Sequence, residues 1–167
     1  SYPEHRGKGY AVRKGAEYAC SSLMIYIDWD FPYDKESMRA VFEKLEEGYD
    51  IVVATRTNSY YPNIDLNTIR TYISVLTRIL NWIVLGIRYS DVRRGFKGMN
   101  RKGKDLLLKT QINHFLFDTE FVYLASRKRY MHICSTRAKL RESVDFTFMD
   151  ITAFGREIIN FIRIAVK

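Results

Sequence analysis

Cysteine, histidine and proline are scarce in this chain, which has two, three and three of them among 167 residues. Cys20 and Cys134 lie far apart without a CxxC spacing, and the histidines share no ligand spacing. A zinc site is therefore not expected. The simplest interpretation of the cysteines is two reduced, buried thiols in an intracellular protein.

Long uncharged apolar runs are also missing. The nearest approach to one, residues 79–87 (ILNWIVLGI), is too short to cross a bilayer, which takes about 20 apolar residues. The N-terminal stretch SYPEHRGKGY lacks the apolar core of a signal peptide. Apolar residues nevertheless make up 47% of the chain, which excludes a disordered protein. Without repeats, low-complexity segments or linkers, the chain is expected to form one domain.

Positive charge is abundant. The formal net charge is +8 and the isoelectric point is about 9.5. Such a surface favours anionic partners: nucleic acid, phosphorylated small molecules or an anionic membrane. A basic protein that is merely soluble fits the charge equally well. The aromatic residues fall at core spacing and no RNA-binding signature is present, so nucleic acid is not expected as a partner.

The order of predicted elements indicates an α/β domain. Residues 10–21 and 35–47 have helical periodicity, and Asp34 can cap the second helix. Residues 23–28 and 49–55 are apolar runs typical of buried strands. Strand, helix and strand form a crossover unit, which predicts that the two strands are parallel.

Both helices have faces that are expected to pack on a sheet. In the first helix this face consists of Ala11, Val12, Gly15, Ala16 and Ala19. In the second it consists of Met38, Val41, Phe42 and Leu45.

The second half of the chain is predicted to be mainly helical. Residues 66–87 form a long helix that is apolar nearly all round, so it is either buried in this domain or a dimer, or in contact with lipid. A charged loop over 90–103 is followed by a short helix, a helix near 118–129 and a strand over 131–138. Residues 150–166 place Ile151, Phe154, Ile158, Ile162 and Ala165 along one face of a basic amphipathic helix. That helix either packs on the core or lies on a membrane.

Two aspartates end the first buried strand, in the segment YIDWDF. Side chains alternate along a strand, so Asp28 and Asp30 point to the same side. The carboxyl ends of strands in α/β sheets open into the crevice where ligands bind. Two carboxylates there suit Mg²⁺ or Mn²⁺ bound together with a substrate diphosphate. The alternative is a pair of solvated or helix-capping aspartates.

Cationic residues lie at several predicted loop and helix boundaries. Lys8 stands between two glycines before the first helix, and Arg13 follows one turn later. Arg56 follows the second buried strand, and Arg94 and Lys97 flank Gly95 in the charged loop. These positions suit phosphate binding. A plain turn, an Asp–Arg structural pair and a solvated loop remain the respective alternatives.

Six segments, taken in order, resemble a known family. They are GKGYAVRKGAEYA, IYIDWD, DIVVATR, RTYISVLTRILN, DVRRGFKGMNR and FDTEFVYLA. They are similar to the polyprenyl-phosphate branch of the GT-A, family 2 glycosyltransferases, such as dolichyl-phosphate glucosyl- and mannosyltransferases. The resemblance runs from about Gly7 to Glu142.

The resemblance implies an α/β, Rossmann-like GT-A fold, a three-layer sandwich with a mostly parallel sheet. Residues 1–149 would form the glycosyltransferase domain, and residues 150–167 a basic, membrane-associated helix. The family begins with a strand–helix unit that carries the nucleobase pocket and precedes the GKG segment. The resemblance therefore implies an N-terminally truncated fold here.

The implied activity is metal-dependent, inverting transfer of a hexose from a nucleotide-diphosphate sugar to a polyprenyl (dolichyl) phosphate. The enzyme would bind peripherally to the cytoplasmic face of a membrane, as a monomer or a homo-oligomer. Asp28 and Asp30 would hold Mg²⁺ or Mn²⁺, and Asp30 and Asp118 would be catalytic. The implied substrate-binding residues are Lys8, Arg13, Arg56, Arg70, Arg94 and Lys97.

A lipid phosphate is already an anion at neutral pH, so its attack needs no general base. Two alternatives remain open. A family 2 enzyme with a soluble acceptor would need a base, for which Asp118 or Asp91 are candidates. A truncated relic or binding module would have no activity.

Overall fold

The computed structural model describes residues 6–28, 33–56, 95–114, 116–139 and 160–164. The elements in chain order are α1 (Lys8–Tyr18), β1 (Leu23–Tyr26), α2 (Lys35–Glu46), β2 (Ile51–Arg56), β3 (Lys97–Asn100), α3 (Arg101–Leu107), α4 (Phe117–Ser126) and β4 (Ile133–Ala138). Residues 160–164 are also helical.

The described strands form one mixed sheet in the order β1-β3-β2-β4. β4 is parallel to β2, whereas β3 is antiparallel to both β1 and β2. The strands β1, β2 and β4 therefore run in the same direction, as predicted for the first two. β1 and β2 are not adjacent, because β3 lies between them.

Helices cover both faces of the sheet, which confirms the predicted α/β sandwich. Alternate residues of β2 point to opposite faces, as the pleat requires. Ile51 and Val53 belong to the core formed with α1, α3 and α4. Val52 and Ala54 belong to a second core beneath α2.

β3 replaces part of the predicted charged loop. Its sequence, KGMN, has neither alternation nor β-branched residues, so local pattern does not reveal it. Tertiary packing accounts for the strand, because a Cβ at Gly98 would lie 2.5 Å from Cγ1 of Val41 and 3.0 Å from Cδ1 of Leu45. The missing side chain lets α2 pack closely on this central strand.

The start of α2 follows the sequence prediction. The carboxylate of Asp34 accepts a hydrogen bond of 2.8 Å from the backbone N–H of Ser37, and Gly48 beyond the last turn has φ of +98°. Val41 and Leu45 are buried as expected. The expected burial of Phe42 is wrong, since 42% of it is exposed on the flank of the helix.

The predicted inner face of α1 is only partly correct. Ala16 is buried, but Ala11 and Gly15 are exposed because the helix begins earlier than expected and packs through Gly9 and Ala16. The cysteines are free thiols. Their predicted burial is wrong for Cys20, which is exposed beyond the end of α1, and Cys134 is half-buried.

The helical residues 160–164 pack on the core through Ile164 and Phe161. Ile162, which the sequence pattern placed on the packing face, is 57% exposed. The rest of the predicted C-terminal helix and the predicted helix over 66–87 lie outside the described residues. Within the described residues, no helix is both long and apolar enough to cross a membrane.

Asp50 is a buried hydrogen-bond acceptor at the edge of the sheet opposite the predicted site. It is 1% exposed, and its carboxylate accepts hydrogen bonds from the Asn100 side chain at 2.7 Å and the His132 N–H at 2.9 Å. Burial alone would raise the pKa of Asp50. These two donors and the Lys102 ammonium together hold that pKa below its ordinary value.

Asp50→Asn is expected to lower the free energy of unfolding at pH 7 by about 1–3 kcal/mol. A carboxylate with a lowered folded-state pKa stabilises the fold above its unfolded-state pKa, and this contribution is lost as the pH falls through the folded value. Urea unfolding should therefore show a deficit at pH 7 that shrinks below about pH 4. The exposed Asp105→Asn is the control, and an equal Asp50 deficit at both pH values would contradict this explanation.

Candidate active site

Charged side chains from separate elements meet where β1 and β2 end and β3 begins. They are Lys8 at the start of α1, Asp28 just after β1, Lys97 at the start of β3 and Asp118 in the first turn of α4. This is the carboxyl edge of the sheet, where α/β folds bind ligands. The cluster therefore occupies the position that the sequence predicts for the site.

Lys97 and Asp118 form a buried ion pair at the centre of this cluster. Their side chains are 0% and 1% exposed, and the Lys97 ammonium donates a hydrogen bond to Oδ1 of Asp118. The hydroxyl of Tyr26 donates to the same oxygen at 2.5 Å. Lys97 is opposite Tyr26 in the ladder of β1 and β3, which brings both donors to one carboxylate oxygen.

Burial shifts the pKa values of this group toward the neutral forms. It raises the pKa of Asp118 despite the opposing charges of Lys97 and Lys8. It lowers the pKa of Lys97, an effect that Asp118 only partly offsets. The pKa of Tyr26 is raised well above its ordinary value, first by burial and then by the charge of Asp118.

Lys8 and Asp28 form a second, more accessible ion pair at the mouth of the cluster. Nζ of Lys8 is 2.5 Å from Oδ1 of Asp28, and the side chains are 27% and 34% exposed. Nζ of Lys8 is also 3.7 Å from Oδ2 of Asp118. Burial would lower the pKa of Lys8, but the charges of Asp118 and Asp28 raise it above its ordinary value.

Gly95 closes one side of this second pair with bare backbone. A Cβ at this position would overlap Oδ1 of Asp28 and Nζ of Lys8. The main chain before β3 therefore approaches both charged groups more closely than any other residue type would allow.

Arg13 and Glu120 hold the segment that supports Lys8. Oε2 of Glu120 accepts hydrogen bonds from the N–H groups of Gln111 and Ile112 at 2.9 and 2.8 Å. The Arg13 guanidinium donates to the Ile112 carbonyl at 2.8 Å and to the Asn113 side chain. Burial lowers the pKa of Arg13. The Asn113 carbonyl in turn accepts from Gly9, next to Lys8.

The structure brings together some of the predicted site residues. Lys8, Asp28, Lys97 and Asp118 form the cluster. Arg13 lies farther along α1 and donates to groups of residues 110–113. Arg56 is the last residue of β2, at the same edge of the sheet as the cluster. The remaining predicted residues, Asp30, Arg70, Arg94 and the alternative base Asp91, lie outside the described residues.

The roles predicted for Lys97 and Asp118 are not tested by their positions. Phosphate contact by Lys97 stays a prediction, and it would require Lys97 to leave a buried carboxylate. A catalytic role of Asp118 also stays a prediction. Sequence reasoning did not identify Tyr26, which reads as a core strand residue. Its position two residues before Asp28, on the same side of the strand, was the available signal.

Asp28 is the described residue best placed to bind a cation. One of its oxygens already contacts an ammonium group, and its side chain is open to solvent in part. The described residues contain no group of three or more His, Cys, Asp or Glu side chains that could hold a metal ion. A metal at Asp28 would thus draw on Asp30 or on oxygens of a substrate.

Comparisons with known proteins support the fold. The family model Glycosyl transferase family 2 matches residues 2–108. Comparison with curated protein sequences found no match. A crystal structure of glucosyl-3-phosphoglycerate synthase from Mycobacterium tuberculosis in complex with phosphoglyceric acid is 15% identical, with a TM-score of 0.67, over 96% of this chain and 55% of that one.

The same mycobacterial enzyme in complex with Mn²⁺, UDP-glucose and phosphoglyceric acid is 14% identical, with a TM-score of 0.64, over 98% of this chain and 56% of that one. Its complex with Mg²⁺ and UDP is 14% identical, with a TM-score of 0.60, over 96% and 55%. The chain thus spans a little over half the length of these structures. At such identities the likeness concerns the fold.

Proposed function

The chain belongs to glycosyl transferase family 2, and on this premise we propose that it transfers a hexose from a nucleotide-diphosphate sugar to a polyprenyl (dolichyl) phosphate. The reaction is metal-dependent and inverts the anomeric carbon. It takes place at the cytoplasmic face of a membrane, to which the protein binds peripherally.

Asp28 and Asp30 are the proposed ligands of Mg²⁺ or Mn²⁺. The position of Asp28 supports this assignment. Its carboxylate is partly exposed, contacts a cation and lies just beyond the carboxyl end of β1. The bound metal would supply charge neutralisation for the leaving diphosphate. Crystal structures of the mycobacterial synthase contain Mn²⁺ or Mg²⁺ together with UDP, which is consistent with this choice of ion.

The hydrogen bonding and burial of Asp118 are the observation that supports a phosphate acceptor. Its Oδ1 accepts hydrogen bonds from both Lys97 and Tyr26, and the side chain is 1% exposed. A carboxylate enclosed in this way is poorly placed to take a proton from an acceptor hydroxyl. A phosphate acceptor needs no such base, because it is already an anionic nucleophile. The described part of the site therefore suits a phosphate nucleophile.

The membrane location rests on the charge of the chain and on the resemblance of its motifs. A net charge of +8 favours the anionic cytoplasmic leaflet. The lipid part of the proposed acceptor rests on the resemblance of the motifs to the polyprenyl-phosphate branch of the family.

A soluble phosphorylated acceptor is the second candidate. It is favoured by the mycobacterial synthase, which has been crystallised with phosphoglyceric acid and has a similar fold. The two candidates share a phosphate group and differ in the lipid chain, so one experiment can separate them.

The full chain should be incubated with Mn²⁺, radiolabelled uridine- or guanosine-diphosphate hexoses, and either a short polyprenyl phosphate in detergent or 3-phosphoglycerate. Hexose transfer to the polyprenyl phosphate is expected, measured as label that partitions into organic solvent. EDTA should abolish it, because the metal neutralises the leaving diphosphate.

If hexose is transferred to 3-phosphoglycerate but not to the polyprenyl phosphate, the acceptor is soluble and the lipid proposal is wrong. Undiminished transfer in EDTA would exclude the metal. The absence of transfer from every sugar nucleotide to either acceptor would favour the non-catalytic alternative.

A further inference from the structure

The two carboxylate oxygens of Asp118 differ in the hydrogen bonds that they accept. Oδ1 accepts hydrogen bonds from Lys97 and Tyr26, whereas Oδ2 is buried and has no hydrogen-bond partner among the described residues. A buried carboxylate oxygen without a donor is costly, and such exceptions call for an explanation. The Lys8 ammonium lies 3.7 Å from Oδ2.

Lys8 stands between two carboxylates and is hydrogen-bonded to only one of them. It is 2.5 Å from Oδ1 of Asp28 and too far from Oδ2 of Asp118 for a hydrogen bond. A movement of about 1 Å by the flexible lysine side chain would bring Nζ within hydrogen-bond distance of Oδ2. The backbone at Gly95 and the Phe117 ring, whose centroid is 5.9 Å from Nζ, border the ammonium on other sides.

We infer that Lys8 is an internal stand-in for the metal: it holds Asp28 while no divalent cation is bound there, and it moves to Oδ2 of Asp118 when one binds. The inference rests on the proposed function, which assigns Asp28 as a metal ligand. On this inference Lys8 is a positioning residue for the metal site, and Asp118 is its partner when the metal is bound.

Two features of the cluster explain why such an exchange is favourable. The ammonium keeps the Asp28 carboxylate paired while no metal is bound. On metal binding the displaced ammonium does not enter water, because an unsatisfied carboxylate oxygen lies beside it. The binding of the metal is thereby coupled to the completion of the buried Lys97–Asp118 pair.

The first test measures the affinity of Mn²⁺ alone, by calorimetry, for the wild type, Lys8→Met and Lys14→Met. Lys14 is the matched control, because it lies on the same helix and pairs with Glu17 at the surface. Lys8→Met is expected to bind Mn²⁺ about two- to five-fold more tightly, because the metal no longer has to break the ion pair of Asp28, a cost that the contact of Lys8 with Asp118 recovers only in part. Lys14→Met should match the wild type.

The second test finds where Lys8 goes, since simple charge repulsion would also tighten binding in Lys8→Met. Reductive methylation of each lysine is followed by mass spectrometry with and without saturating Mg²⁺. If Lys8 moves to the buried Asp118, Mg²⁺ should slow its methylation, whereas Lys14 should be unaffected. Faster methylation of Lys8 would mean that it swings into solvent, and this result would overturn the inference.

The two proposals fail in different ways. If Mn²⁺ binds through Asp28 but Lys8→Met leaves its affinity unchanged, the stand-in role is wrong and the metal assignment survives. If Mn²⁺ binding is absent, or is unchanged in Asp28→Asn, the metal assignment is wrong and the stand-in role falls with it.

Discussion

Asp118→Ala is expected to lower the free energy of unfolding by about 3–5 kcal/mol, the usual cost of breaking a buried ion pair by removing one of its members. Lys97 is 0% exposed, and Asp118 is the carboxylate that accepts its hydrogen bond. The same substitution removes the acceptor of the buried Tyr26 hydroxyl. Urea unfolding followed by circular dichroism would measure the loss as a fall in the midpoint.

The matched control removes both charges. Lys97→Met combined with Asp118→Leu removes both charges of the buried pair, so the double variant should recover at least half of the stability lost in Asp118→Ala. Lys14→Met, which breaks a surface pair, should leave the midpoint unchanged. If the double variant is no more stable than Asp118→Ala, the loss comes from packing and the buried pair is not its cause.

Gly95→Ala is expected to reduce hexose transfer by at least about 100-fold, the usual consequence of displacing catalytic groups by about 1 Å. The added methyl group would overlap Oδ1 of Asp28 and Nζ of Lys8, so both charged groups would have to move. The rate of transfer, measured with saturating Mn²⁺ and donor, checks this expectation. Binding of Mn²⁺ should weaken in the same variant.

Gly15→Ala is the control for this substitution, because a Cβ at Gly15 would meet no atom within 4 Å. Gly15 lies within α1, where alanine is the better helix former, so a gain of about 0.5–1 kcal/mol in stability is expected with unchanged transfer. Normal transfer by Gly95→Ala would show that the close approach of the backbone has no importance for the site.

The parts of the fold that follow from local pattern could be predicted from the sequence. Asp34 caps α2 through a contact three residues away, and the apolar runs of β1 and β2 are visible as such. Asp28 could be placed at the carboxyl edge of the sheet because it follows an apolar strand. These features depend on neighbours in the sequence, and local propensity and tertiary packing agree on them.

The parts that depend on distant contacts could not be predicted in the same way. β3 is short and contains Lys97 and Gly98, yet it pairs with strands on both sides at the centre of the sheet. The burial of Lys97 requires Asp118, 21 residues away, and the ladder position opposite Tyr26. Motif resemblance indicated that these residues belong to one site, but not that two of them neutralise each other.

The central claim is that Asp28 holds a divalent metal that binds the donor diphosphate. Calorimetric titration of the full chain with UDP and with GDP, in Mn²⁺ and in EDTA, tests it most directly, with Asp28→Asn as the isosteric variant. At least one nucleotide should bind the wild type about ten-fold or more tightly with Mn²⁺, and Asp28→Asn should lose this gain. Equal affinities in Mn²⁺ and EDTA, or a gain that survives in Asp28→Asn, would contradict the metal site at the end of β1.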